Sequence, residues 1–166
     1  VSVEKSIAAY GFCLIAAACL WIAGPVAAQG VAFGAMADQG DAPVEVTADN
    51  LAVNQSDGTA IFTGHVVIAQ GAMRLAAPKV LVIYAEASER IERLEASGGV
   101  TLVSGEDAAE ARNARYDIDA QVIVMEGDVL LAQGPSVMSS ERMTVDLEKG
   151  TAQMGGRVRT ILKQGK

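Results

Sequence analysis

A Gly-x-Val step recurs four times along the chain, at Gly64-His65-Val66, Gly98-Gly99-Val100, Gly127-Asp128-Val129 and Gly156-Arg157-Val158, with spacings of 34, 29 and 29 residues. A second glycine follows each step: Gly71 after Ile-Ala-Gln, Gly105 after Leu-Val-Ser, Gly134 after Leu-Ala-Gln, and Gly165, two residues late, after Leu-Lys-Gln. The unit is therefore repeated four times. Glycine at each corner accepts backbone angles that other residues avoid and leaves room inside a bend or bulge. The chain's single histidine, His65, lies in the first corner, where the other copies have Gly99, Asp128 and Arg157. Because one copy alone carries it, the step reads as a bend and His65 as a surface residue within it.

From Pro43 onward, apolar residues alternate with period two: Val44-x-Val46, Leu51-x-Val53, Ala60-x-Phe62, Val66-x-Ile68, Met73-x-Leu75, Tyr116-x-Ile118, Val122-x-Val124, Val129-x-Leu131 and Met143-x-Val145-x-Leu147. Such alternation predicts strands with one apolar face each. Turn signals separate them at Asp57-Gly58 and Lys149-Gly150, with Asp119-Ala120 and Ala87-Ser88-Glu89 in equivalent places. Between Ala87 and Ala96 the spacing of Ile91 and Leu94 would suit a helical turn, but register with the other units makes the segment a strand. The fold class is therefore all-β, built from four similar hairpin-plus-corner units. An antiparallel sheet with one apolar face must close over it as a barrel, a jelly roll or a solenoid. With 51% hydrophobic but only 4% aromatic residues, the interior is lined by Val, Ile, Leu and Met. A filled core and an open apolar trough both fit that lining.

The ends of the chain read differently. Glu4 and Lys5 precede an apolar run from Ile7 to Ala23, then Gly24-Pro25-Val26-Ala27-Ala28, whose small residues suit a signal peptidase. Residues 1–28 are expected to be a signal peptide, cut between Ala28 and Gln29. A retained anchor is the rival reading, since a run of roughly 17 to 25 apolar residues can span a bilayer. A lipoprotein acylated at Cys19 fits less well, because Ala16 stands where leucine is usual and Trp21-Ile22-Ala23 continue the apolar run. Both cysteines, Cys13 and Cys19, lie in this segment, so the mature chain has no thiol for a disulfide, a metal or a nucleophile. Residues 29–42, rich in Gly, Ala, Gln and Asp, are expected to be a flexible leader. The folded domain is expected over 43–163, with a short C-terminal end at 164–166. Cleavage removes one lysine and one glutamate and leaves the net charge at −7, which excludes a nucleic-acid partner held by bulk charge.

Catalytic chemistry lacks its parts. With one histidine, no remaining cysteine and no Gly-x-Ser-x-Gly, the Ser-His-Asp, Cys-His and histidine-rich metal arrangements are all incomplete. Asp117 and Asp119 share the strand face opposite Tyr116 and Ile118, the solvent side. Glu106, Asp107 and Glu110 form an acidic loop without calcium-loop spacing. No catalytic residue, cofactor or metal ligand is expected, and any site must be the apolar face itself.

The stretch PVEVTADNLAVNQSDGTAIFTGHVVIAQGAMRLAAPKVLVIY, residues 43–84, resembles the opening of the LptA/OstA-like family of periplasmic lipopolysaccharide-transport proteins. The telling elements are the strand ending in Ala48-Asp49, the Phe62-Thr63-Gly64-x-Val66 corner, Gln70-Gly71 after it, and Ala77-x-Lys79 before a Val-rich strand. The same grammar returns in ARYDIDAQVIVMEGDVLLAQG and SSERMTVDLEKGTAQMGG, so the resemblance extends from Pro43 to about Leu162. It implies a twisted antiparallel β-jelly-roll, V-shaped in section, whose apolar interior holds the acyl chains of lipid A with the sugars outside. Carried over position by position, lipid contacts are implied at Val44 and Val46, at Leu102 where family members have Phe, and at Tyr116 and Ile118. The implied partners are lipopolysaccharide, an LptC-like inner-membrane protein at the N-terminal edge, an LptD-like outer-membrane protein at the C-terminal edge, and further copies head to tail. A membrane-anchored LptC-like subunit is the alternative within the family. A secreted β-solenoid acting on polysaccharide is the alternative outside it, and would need a ladder of acidic or aromatic residues on an outer face.

Overall fold

The period-two alternation and the β-branched content become strands because alternate side chains then share one dry face while every backbone group enters a ladder. In the computed structural model, which describes residues 31–33, 42–86 and 90–161, these strands are β1 (Val31–Ala32), β2 (Glu45–Thr47), β3 (Asn50–Asn54), β4 (Thr59–Gln70), β5 (Met73–Tyr84), β6 (Ile91–Ser104), β7 (Asp107–Asp117), β8 (Val122–Gln133), β9 (Ser136–Asp146), β10 (Thr151–Gly155) and β11 (Arg159–Ile161). They form one antiparallel sheet in the order β1-β10-β9-β8-β7-β6-β5-β4-β2, with β3 also on β4 and β11 also on β9. The long strands β4 to β9 therefore run through two halves. The edges are split, β3 and β2 along β4, and β10 and β11 along β9. Signal-peptide cleavage falls outside the described residues, as does Gly165.

The Gly-x-Val steps are the crease between the halves. At the three internal corners the ladder gains one residue in β4, β6 and β8, between Thr63 and Val66, Ser97 and Val100, and Glu126 and Val129. Both residues of every step are left-handed: φ is 78° and 43° at Gly64 and His65, 93° and 100° at Gly98 and Gly99, 86° and 52° at Gly127 and Asp128, and 75° and 42° at Gly156 and Arg157. The first must be glycine for a second reason. A Cβ there would lie 2.4 Å from Asp49 Oδ2, 2.7 Å from the Pro78 ring, 2.5 Å from Arg112 Nε and 2.6 Å from Glu141 Oε2, respectively. Each corner is thus roofed by a side chain of the adjacent backbone: Asp49 between β2 and β3, Pro78 on β5, Arg112 on β7 and Glu141 on β9. Three of those side chains pair with the residue after the glycine: Asp49 with His65, Arg112 with Asp128, and Glu141 with Arg157. His65 is a bend residue, almost fully exposed.

On the straight strands β5, β7 and β9 the alternation changes phase at the crease. Two successive exposed residues, Pro78-Lys79, Arg112-Asn113 and Glu141-Arg142, separate the buried sets. The remote ends turn in two ways. Gly71, Gly105 and Gly134 open two-residue hairpins with φ of 53°, 61° and 53° at the first position, the demand of a type II′ turn. At the opposite end, four-residue loops are started by Asn54, Asp117 and Asp146, whose carboxyl or amide oxygens accept from the backbone N–H of Ser56, Ala120 and Lys149.

Three expectations change. Val122 and Val124 lie on the outward phase of β8, while Ile123 and Met125 are buried; a strand apolar on both faces hides its phase. Leu51 and Val53 sit on the inner phase, opposite Phe62 and Ala60, yet are 56% and 63% exposed because β3 is an edge. Within the segment expected as a flexible leader, Val31 and Ala32 pair with Ala152 and Thr151 of β10, and Phe33 is fully buried.

Candidate functional site

Register turns the inner face into transverse rows. In the second half, Val46 pairs onto Ile68, and the row continues through Leu75, Leu102, Ala109 and Leu131 to Met138 and Thr160. In the first half, Val53 leads through Ala60, Val82, Leu94, Tyr116 and Ile123 to Val145, Ala152 and Val31. Direct partners on an antiparallel sheet share a face. The two halves fold these faces together: the Tyr116 hydroxyl of the first half donates to Gln70 Oε1 of the second at 2.6 Å. Leu102, Ile123 and Leu131 are wholly buried, so the interior is packed with the chain's own side chains.

Of the five residues singled out by resemblance, Leu102 and Tyr116 lie deep, at 0% and 2% exposure. Val44, Val46 and Ile118 are half-buried at the rim, packed on the core. Val46 and Leu102 share a row, Tyr116 faces them from the other half, and Ile118 stands at the loop end of β7, its N–H donating to Glu92 O at 3.0 Å. Burial pushes the Tyr116 phenol above its ordinary range, partly offset by the bond to Gln70, with the Asp117 charge pushing it further up.

Sequence reasoning passed over a polar row next to this apolar one. Gln70 pairs onto Met73, then Ser104 and Asp107, with Gln133 Nε2 donating to Asp107 Oδ2 at 3.0 Å. Asp107 is buried, so it leaves the solvated acidic loop expected for it, while Glu106 and Glu110 stay exposed. The recurrence of Gln-Gly at the repeat ends was the available signal. Outside, charges are paired on the surface, as Arg142 with Glu126 at 3.1 Å and Arg90 with Asp119 at 3.1 Å. A groove of about 430 Å³ on the first half's outer face, with Ile61, Leu81, Lys79, Glu95 and Arg115 in its lining, mixes both signs of charge. Among the described residues no cluster of three metal-ligating groups occurs.

An open antiparallel jelly roll with an apolar interior, creased at repeated glycine corners, is the class these features define. A sequence profile described as LptA/(LptD N-terminal domain) LPS transport protein matches residues 45–151. An uncharacterised protein of Rhizobium meliloti is 31% identical over 173 residues, covering 98% of this chain and 90% of its own. The lipopolysaccharide export system protein LptA of Haemophilus influenzae is 30% identical over 154 residues, covering 86% and 89%. The crystal structure of LptH, described as the LptA-homologous periplasmic component of the lipopolysaccharide transport device of Pseudomonas aeruginosa, matches with a TM-score of 0.67 at 16% identity, over 76% of this chain and 99% of that one. The chain belongs to the LptA/LptD N-terminal domain family of lipopolysaccharide-transport proteins.

Proposed function

We propose that this chain is a lipopolysaccharide-carrying bridge protein of the periplasm, its inner face holding lipid A acyl chains while the sugars stay in water. The observation that carries the reading is the apolar row running from Val46 at one edge of the sheet to Met138 beside the other. Successive strands are about 4.8 Å apart, so an acyl chain moving along the row meets many similar contacts and no deep trap. Each buried methylene contributes about 0.8 kcal/mol whatever the protein's charge, which lets an acidic chain carry an anionic glycolipid.

Because the halves meet inside, the acyl chains enter by parting them. Val44, Val46 and Ile118 at the rim then meet lipid first, and Leu102 and Tyr116 line the opened interior. The mature chain begins at Gln29, with the domain over 43–163; N-terminal sequencing of the native protein tests the first point. Free edges at β2 and β3 suit strand addition by an LptC-like inner-membrane protein, and β11 suits an LptD-like outer-membrane protein, with further copies head to tail between them. Photo-crosslinking from Val46 and Thr160 should trap the first and the second partner respectively. Mass spectrometry of lipid co-purified with the mature protein tests the cargo: a glycolipid carrying lipid A is expected. Lipid-free protein, purified beside a lipid-loaded relative under the same conditions, would sink the reading.

A further inference from the structure

The first-half edge at β10 is already occupied, by residues that precede the domain. Val31 and Ala32 pair with Ala152 and Thr151, and the Phe33 N–H donates to Gly150 O at 3.1 Å. Phe33 is fully buried. Buried Gln70 and half-buried Gln133 hold the backbone on either side: Gln133 Nε2 donates to Ala32 O at 2.6 Å, and Gln70 Nε2 donates to Ala42 O at 3.0 Å.

The seat that β1 fills has a definite shape. β4 and β10 are separated by an even number of antiparallel steps and run the same way, so β3, antiparallel to β4, and β1, antiparallel to β10, also run the same way. The row that starts at Val53 ends at Ala152, and Val31 is the next member. A β3 strand from another molecule, added to β10 in the register that continues this row, would place its Val53 where Val31 now lies. Its exposed Leu51 would then face Met154, the last member of its own row. Among the described residues no equivalent strand lies outside β11.

We propose that the free side of β10 is the docking site for strand β3 of a second copy of this chain, and that Val31–Phe33 is its built-in competitor. The inference rests on the head-to-tail reading above and adds a control to it. A copy can extend the bridge only when β1 has left, so the apparent affinity of association falls by the fraction of molecules whose seat is vacant. Lipid entering between the halves must also displace Phe33 from the interior, which couples loading to release of the strap.

The Ala32–Thr151 pair supplies a lock. Phe33 bonds to Gly150 directly opposite, so the adjacent Ala32–Thr151 pair is a non-hydrogen-bonded one with close side chains, and the mature chain has no other cysteine. Sedimentation velocity across a concentration series is run on the mature chain, on Phe33→Asp, on Phe33→Asp/Val53→Lys, and on Ala32→Cys/Thr151→Cys oxidised and reduced. Phe33→Asp should associate at about tenfold lower concentration than the wild type, and adding Val53→Lys should reverse this. The oxidised double-cysteine chain should stay monomeric until reductant is added. If the wild type and the oxidised and reduced chains associate alike, β1 is no competitor and the head-to-tail reading survives alone. If every chain, Phe33→Asp included, stays monomeric, both fail.

Discussion

Replacing Gly98 by alanine should cost far more stability than replacing its neighbour Gly99, although both are left-handed to nearly the same degree, with φ of 93° and 100°. Each alanine bears the strain of a backbone region that L-residues avoid, about 1–3 kcal/mol. The surroundings differ. A Cβ on Gly98 would lie 2.7 Å from Pro78 Cγ, whereas one on Gly99 meets nothing within 4 Å. The proline ring cannot swing aside, and its chain neighbours Ala77 and Lys79 are held in the ladder to β4, so the overlap adds about 1–3 kcal/mol of forced repacking. Gly127→Ala should fall between the two. Its Cβ would meet Arg112 Nε at 2.5 Å, but that side chain can move at the loss of a surface pair with Asp128 worth about 0–1 kcal/mol. Urea unfolding followed by circular dichroism gives the three differences, and the Gly98 variant should melt about 8 °C or more below the wild type. Gly98→Ala and Gly99→Ala agreeing to within about 0.5 kcal/mol would refute the idea that the corner glycines are fixed by the side chains roofing them.

Val46→Asp, at the rim, should abolish lipopolysaccharide retention with little loss of stability, while Glu45→Asp on the outer phase changes neither; equal losses of retention would mean the face is misassigned. Leu102→Ala, wholly buried, should cost about 2–5 kcal/mol, measured by denaturant unfolding. Tyr116→Phe should cost about 1–3 kcal/mol by removing a buried donor to Gln70. Because the folded phenol is raised, wild-type stability should fall as pH climbs past the unfolded value near 10, a loss that Tyr116→Phe lacks. Asp146 is held below the usual carboxylate range by the side-chain and backbone bonds from Lys149. Its contribution is present above about pH 4 and lost as pH falls through the lower folded value. Asp146→Asn should therefore be slightly less stable at neutral pH, by under about 1 kcal/mol, and equal to the wild type in strong acid.

What could be read without coordinates was whatever one strand and its own corner decide. The Gly-x-Val steps, the turns at Asp57-Gly58 and Lys149-Gly150 and the inward phase of Tyr116 all follow from local geometry, and the structure has them so. Features that depend on a partner distant in sequence escaped. Periodicity gives Leu51 and Val53 an apolar face but says nothing of whether another strand lies beyond them, and as members of an edge strand they stay exposed. Asp107 sits among Glu106 and Glu110 and reads as a solvated loop; only its place beside Ser104, opposite Gln133, turns it inward. The three residues Val31 to Phe33 are too few to show any period, and the strand that gives them a conformation is about 120 positions further along, a separation no local rule spans. The same dependence explains why open trough and filled core could not be separated from composition. An apolar face lined by Val, Ile and Leu lowers its free energy equally against acyl chain or against its own opposite half, at about 25 cal/mol per Å² in either case. Which of the two it covers is decided by the crease, whose angle lies in glycine torsions and in the Asp49, Pro78, Arg112 and Glu141 side chains packed over them.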